Sequence, residues 1–282
     1  EYEQALDVCR EQVENGAQVV DVNFQGIAVG FALPAIEGLF ELGAREHPAG
    51  ALGRRRLQPG IIKVLEQHQP QGNWLDLGCG SGTLAAEWVQ AGYEARYTGV
   101  DFSAALLQEA RESVNEALKA QGNAHSAPQP EFIQADLLQP GWGAAFNPAG
   151  FDGVLSFAVL HHIPGSHNRQ RLLTAIQQLL KPGGSFIFSV WQFQHSPRLM
   201  ARLQPWHLAG MEENELEPGD CLLDWRHALP GQVEQNGLRY VHLFNHQELA
   251  DMADTAGFKL VDEFESDGKG GRLALYQVWK PL

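Results

Sequence analysis

Residues 73–82, Asn-Trp-Leu-Asp-Leu-Gly-Cys-Gly-Ser-Gly, constrain the fold more than any other stretch of the chain. Trp74, Leu75 and Leu77 form a short apolar run of the kind that becomes a buried strand. The run stops in three alternating glycines, Gly78, Gly80 and Gly82, and a helical pattern follows from Thr83 to Gln90. Glycine permits positive φ and lets a ligand lie against bare backbone. The unpaired N–H groups opening the next helix favour a polar or anionic group. Strand, glycine turn and helix therefore describe either an ordinary tight turn or a cradle for a nucleotide-type ligand.

A dinucleotide site would read G-x-G-x-x-G. This loop reads G-x-G-x-G, with Asp76 two residues before the first glycine, and a second acid, Asp101, ends the next apolar run, Tyr97-Thr98-Gly99-Val100. An acid at that strand end can take both hydroxyls of a ribose in a doubly wound sheet. In these residues the chain resembles the class I S-adenosylmethionine-dependent methyltransferases, of the type 11/12 domain, whose signature is an acid followed by G-x-G-x-G. The resemblance implies an α/β fold: a Rossmann-like seven-stranded sheet, mostly parallel with a C-terminal antiparallel hairpin, and helices on both faces. It implies S-adenosyl-L-methionine as cofactor, its amino-acid part held by Asp76, Leu77, Gly78, Cys79, Gly80 and Gly82, with Asp101 on the ribose and Phe102 beside it.

Further along, Ala104 to Lys119 reads as a helix with Ser103 as a suitable N-cap. Glu131 to Ala135 reads as the third strand, ending at Asp136-Leu137. In the resembled family an acid here bonds the adenine amino group and the next residue packs on the ring; alone, Asp136 is a cap or loop aspartate. Trp142 and Phe146 either cover that ring or pack beneath the loop. Phe151 to Val159 is an apolar fourth strand suited to the middle of a parallel sheet, and Phe157 and Ala158 at its end join the cofactor-binding set.

This strand leads into Leu160-His161-His162-Ile163-Pro164. Ligands in open α/β sheets bind beyond the carboxyl ends of the strands. A neutral histidine there can accept a proton or orient an acceptor oxygen, which makes His161 and His162 catalytic candidates. Adjacent histidines point in different directions, so at most one is expected to touch substrate. No carboxylate or third ligand stands at a suitable spacing, so no metal is expected. Arg169 to Leu180 reads as an amphipathic helix, Lys181-Pro182-Gly183-Gly184 as its sharp end, and Ser185 to Trp191 as the fifth strand. This helix, turn and strand are a second hallmark of the same methyltransferases. A helix over Glu248 to Ala256 and β runs at Phe258 to Glu265 and Arg272 to Lys280, joined by a Gly-rich hairpin, are the third.

Residues 192–247 form an insertion too long for a bare loop. Its aromatics, arginines and histidines suit a lid over an acceptor pocket, or a small subdomain with a tryptophan core. Three elements resemble the methyltransferases that esterify carboxymethyl groups on wobble uridines of tRNA: Ala158-Val159-Leu160-His161-His162, Gly219-Asp220-x-Leu222-Leu223-x-Trp225-Arg226, and Arg239-Tyr240-x-His242-x-Phe244. That family commonly has Pro-Trp where this chain has Asp224-Trp225. A carboxylate acceptor, with a pKa of about 4, is already ionised at neutral pH and needs no strong base. It needs positioning and fixed charge instead. Arg226 and Arg239 suit that task, though both also read as surface arginines.

The resemblance spans roughly residues 57–282, leaving 1–56 as an N-terminal leader and linker. The chain begins at Glu1 rather than methionine, so its natural start is expected upstream. Residues 1–24 resemble a fragment of the pterin-binding barrel of cobalamin-dependent methionine synthases, in which the Asp21 and Asn23 positions contact folate. One barrel unit cannot bury its own faces, and a fused or misassembled leader is the plainer reading. Arg54-Arg55-Arg56 ends the linker as a solvated run, or, since a preceding helix commonly covers the site in the resembled family, places Arg56 near the cofactor carboxylate or an acidic substrate. Residues 26–42 are broken by Pro34 and Glu37 and are too short to span a bilayer comfortably. Three dispersed cysteines show no disulfide or zinc spacing, so a cytoplasmic location is expected.

The expected reaction is methyl transfer to a carboxylate or other acidic oxygen, on a small molecule or on tRNA. The formal charge of −14 disfavours broad electrostatic contact with nucleic acid. The rivals are a cofactor-binding partner subunit without turnover and a nicotinamide dehydrogenase, against which the loop spacing argues. Gly80→Asp is expected to abolish cofactor binding in a calorimetric titration, and unaltered affinity would refute the placement of the cradle.

Overall fold

Alternation of apolar strand runs with amphipathic helices sets the architecture. The computed structural model describes residues 57–121, 128–212, 216–227 and 235–282, with backbone alone at 225–227 and 235–237. The leader, with Asp21, Asn23 and Arg56, lies outside the described residues. Helix α1 (Pro59–His68) precedes β1 (Asn73–Leu77), α2 (Thr83–Gln90), β2 (Arg96–Asp101), α3 (Ala104–Gln121) and β3 (Glu131–Gln134). Next come β4 (Phe151–Phe157), α4 (Ser166–Leu179) and β5 (Leu180–Trp191). After the short strands β6 (Leu203–Gln204), β7 (Asp220–His227) and β8 (Gln235–His242), the chain closes with α5 (His246–Thr255), β9 (Phe258–Ser266) and β10 (Ala274–Pro281).

Seven strands form one sheet in the order β3-β2-β1-β4-β5-β10-β9. The first five run parallel, and β10 pairs antiparallel with both β5 and β9. Because successive side chains on a strand point to opposite faces, β1 feeds two separate cores. Leu75 and Leu77 join Phe186, Phe188 and the α4 residues Leu172, Leu173 and Ile176 on one face. Trp74 joins Tyr97, Leu155 and the helix residues Val64, Trp88 and Val114 on the other. Helices thus cover both faces of a Rossmann-like sheet, as expected. The topological switch lies between β1 and β4, and the ligand crevice of such a sheet opens at the carboxyl ends beside it.

The boundaries differ from the sequence pattern in informative ways. Helix α4 begins at Ser166 rather than Arg169, because the Ser166 N–H and hydroxyl both donate to Glu217 and satisfy the first turn. Strand β5 starts at Leu180, ahead of the Lys-Pro-Gly-Gly turn: Phe151 pairs with Leu180 and Gly153 with Ser185, so residues 181–184 bulge out of the ladder. Lys181 Nζ closes the bulge on Asp152 Oδ2 at 2.7 Å. Trp142 is buried in the core and meets Phe146 edge-on, so this pair packs beneath its loop.

The insertion contains a second, antiparallel sheet of order β6-β7-β8 with its own small core of Phe193, Leu223 and Val241. Among the described residues no helix is long and apolar enough to cross a membrane. In the central strands Gly153 pairs with Trp74, and a Cβ on it would lie 2.3 Å from the indole. Gly153→Ala is therefore expected to cost about 1–3 kcal/mol by overpacking, read as a lower denaturant midpoint.

Candidate functional site

The glycine loop is pinned to β2 before any ligand arrives. Gly78 N–H and Cys79 N–H both donate to Val100 O, at 2.8 and 3.0 Å. Gly80 N–H donates to Asp101 Oδ2 and Ser103 N–H to Asp101 Oδ1, each at 3.0 Å. Ser103 Oγ accepts from Leu106 N–H, the expected N-cap. All three loop glycines have positive φ, but for different reasons. A Cβ on Gly82 would strike the Ala110 backbone at 2.7 Å, so this glycine lets α2 and α3 approach. A Cβ on Gly80 would meet nothing within 4 Å, which leaves room for a ligand against the backbone there.

Two buried carboxylates lie by this opening. Asp76 is 4% exposed and accepts a hydrogen bond from the Tyr97 hydroxyl. Burial pushes its pKa up to about 7, against the Tyr97 bond, and Asp101 adds to the rise. Burial also pushes Asp101 up to about 6, against hydrogen bonds from Ser103, Gly80 and Phe102. A set of acceptors beneath an open glycine suits a ligand bearing hydroxyls and an amine, as S-adenosylmethionine does. Leu77 and Leu137 are buried in the core, and Cys79 sits in the loop with its Sγ against Gly99. Phe102 is buried, its carbonyl accepting from Gln134. Half-buried Asp136 caps its own turn, accepting from Leu138 N–H at 2.9 Å.

The end of β4 is strained. Ala158 has φ 57°, costly for a residue with a Cβ, and its N–H is held by Ser189 Oγ at 3.1 Å. Phe157 before it packs against Tyr276. Beyond it the two histidines are buried, their ring centroids 4.3 Å apart. His161 Nδ1 accepts from Trp191 N–H at 3.3 Å, so its proton sits on Nε2. His162 Nδ1 donates to Tyr240 O at 3.0 Å, so its Nε2 carries the lone pair. Neither Nε2 has a partner among the described residues. Burial lowers both pKa values, helped at His161 by His162 and Arg239 and at His162 by Arg239; His162 falls to about 3. His161 stacks on the Trp191 ring, and the Arg239 guanidinium lies 5.4 Å from the same ring. Arg239 is itself 7% exposed. Arg226 is placed only by its pairing with Asn236 across β7 and β8; its side chain is outside the described residues.

Sequence reasoning missed the charged network beneath these groups. His242 bonds Asp220 Oδ1 through Nδ1 and Glu248 Oε1 through Nε2, both at 2.7 Å. Tyr240 donates to Asp220 at 2.6 Å. Arg169, 1% exposed, bonds Glu217 at 2.6 Å and Ile163 O at 3.1 Å. Asp220, Tyr240 and His242 thus join the insertion to helices α4 and α5 of the main body through Arg169 and Glu248. The signal was present at Arg169, which stands on the same helix stripe as Leu172, Leu173 and Ile176. Tyr97 was also missed, since its reach to Asp76 depends on strand register. Among the described residues no group of His, Cys, Asp and Glu could hold a metal ion.

Comparison with known proteins matches residues 50–263 to a family described as a methyltransferase domain. The human protein named Probable tRNA methyltransferase 9B is 25% identical over 62% of this chain and 30% of its own length. Trans-aconitate 2-methyltransferase of Azoarcus sp. (strain BH72) is 33% identical over 48% of this chain and 47% of its own. The chain thus spans less than half the length of either relative. A crystal structure of a SAM-dependent methyltransferase from Methanosarcina mazei shares the fold, with a TM-score of 0.56 and 21% identity over 81% of this chain and 99% of that one.

The His242 network has a pH signature. Burial alone would lower the His242 pKa, but the bonds to Asp220 and Glu248 outweigh it and raise it above 6.5. The charged imidazole therefore stabilises the fold fully below about pH 6.5, and the contribution is lost as pH rises through the folded-state value. The melting-temperature gap between the natural chain and His242→Asn is expected to narrow between pH 6 and 9; a constant gap contradicts the assignment.

Proposed function

Because this chain belongs to the methyltransferase-domain family of S-adenosylmethionine-dependent enzymes, we propose that it methylates a carboxylate or other acidic oxygen. Bound S-adenosylmethionine supplies an electrophilic methyl group on a sulfonium sulfur. In this reading Gly78, Cys79, Gly80 and Gly82 give backbone to its amino-acid part, with Leu77 and Asp76 beneath, and Asp101 receives the ribose hydroxyls next to Phe102. Asp136 and Leu137 serve the adenine. Phe157 and Ala158 line the approach between cofactor and acceptor.

The single observation that supports an anionic acceptor is the environment of Arg239. A buried guanidinium lies over Trp191 beside two histidines that burial keeps neutral. A site with fixed positive charge and only weak bases suits a nucleophile that is already ionised. His161 can then donate from Nε2 to the ionised acceptor, whereas His162, with its lone pair on Nε2, can orient only an acidic oxygen that still bears its proton. Arg226 is a second candidate for the acceptor anion, and Arg56 for the cofactor carboxylate; the positions of both side chains remain outside the described residues.

The likeness to the tRNA methyltransferase 9B proteins favours tRNA as carrier of that carboxylate, and the three sequence elements that resemble the wobble-uridine methyltransferases favour a carboxymethyl group on it. The charge of −14 and the likeness to trans-aconitate 2-methyltransferase favour a small-molecule acid. Tritium transfer from labelled cofactor to bulk tRNA, run beside a metabolite extract, separates the two; no label in tRNA ends the RNA version. With the acceptor so found, Arg239→Gln is expected to lower kcat/KM by roughly 100-fold while cofactor affinity stays unchanged. Full activity in that variant removes Arg239 from the site.

A further inference from the structure

Tyr97 stands two residues before Gly99 and four before Asp101, so the three share one face of β2. Its side chain is 1% exposed, and its hydroxyl donates to Asp76 Oδ2 on the neighbouring strand. Trp88 and Phe132 meet the Tyr97 ring edge-on at centroid distances of 5.2 and 6.4 Å, so packing holds the ring independently of that bond. Gly99 leaves the space between ring and loop to Cys79, whose Sγ would lie 2.8 Å from a Cβ there.

Asp76 is otherwise poorly compensated. Among the described residues Tyr97 is the hydrogen-bond partner of its carboxylate, and no salt bridge reaches it. The ionisable groups facing it are Tyr97 and Asp101 from β2 and Cys79 from the loop, while Arg111 of α3 acts on Cys79. From β4 its register partner is the apolar Leu155. A carboxylate buried without a cation either takes up a proton or relies on hydrogen bonds to its charged form.

We propose that Tyr97 is a positioning residue for the cofactor: its hydroxyl fixes the orientation of the Asp76 carboxylate and favours the ionised form that receives a cationic amine. The inference rests on the reading of residues 78–82 as the cofactor cradle. Among the described residues no cation pairs with Asp76; the ligand then brings one, and binding is linked to loss of the Asp76 proton. Affinity should rise with pH until Asp76 is ionised. Removing the hydroxyl moves that midpoint upward, since the bond from Tyr97 opposes the effect of burial.

The test is calorimetric titration with S-adenosyl-L-homocysteine from pH 6 to 9, on the natural chain, Tyr97→Phe, Asp76→Asn and the double variant. Tyr97→Phe is expected to weaken binding about tenfold at pH 7, with the loss shrinking as pH rises. In the Asp76→Asn background it should have no further effect. Infrared titration of the cofactor-free chain should show the same upward displacement of a carboxyl band that Asp76→Asn removes. Biosynthetic 3-fluorotyrosine, a stronger donor of nearly the same shape, should move the band the other way and keeps the test open if Tyr97→Phe fails to fold. An unmoved band, or a loss of affinity equal at every pH and persisting with Asp76→Asn, overturns the role of Tyr97. A natural chain that binds no cofactor overturns the cradle reading instead.

Discussion

The parallel ladder between β1 and β2 carries the rest of the structure. It pairs Asp76 with Gly99 and Leu77 with Val100, which brings the first acid, the loop glycines and the second acid to one end of the sheet. The Val100 carbonyl then takes both Gly78 N–H and Cys79 N–H, and Asp101 takes Gly80 N–H. Buried backbone donors must find partners, and here the partners lie on the adjacent strand. The loop is therefore shaped by the sheet, and its geometry is in place without a ligand.

A second consequence of the same ladder is electrostatic. Two carboxylates are drawn out of water on one face, with backbone amides for Asp101 and a phenol for Asp76. Burial raises both pKa values, so the pocket is less anionic at neutral pH than two free aspartates would be. The cluster at the end of β4 has the opposite character: a buried guanidinium beside two imidazoles that burial keeps neutral. The two halves differ in charge because they are built on different strands, β1 and β2 against β4, β5 and β8.

Much of this was legible in the chain. The glycine loop, the strand-end acids, the C-terminal antiparallel pair and the histidines after β4 all announce themselves through local pattern. Element ends were harder. The start of α4 depends on Glu217, 51 residues beyond Ser166, and no local signal reveals that partner. Aromatic residues in and just before the insertion were ambiguous by composition, and the structure divides them: Phe193 is core, whereas Trp191 at the end of β5 forms a platform for His161 and Arg239. The pairings of Tyr97 with Asp76 and of His242 with Asp220 and Glu248 required tertiary register. Only Arg169 left a trace, as a charge on an apolar helix stripe.

That charged seam also bears on how such enzymes diversify. Residues 192–247 bring Glu217, Asp220, Tyr240 and His242, whereas Arg169, which meets Glu217, and Glu248, which meets His242, stand on helices of the main body. A chimera that transplanted residues 192–247 alone into a related scaffold would keep the His242–Asp220 pair but part Glu217 from Arg169 and His242 from Glu248, at a cost in stability. The insertion can therefore move between scaffolds as a cassette only when both helices travel with it, or it must drift one side chain at a time around a fixed set of anchors.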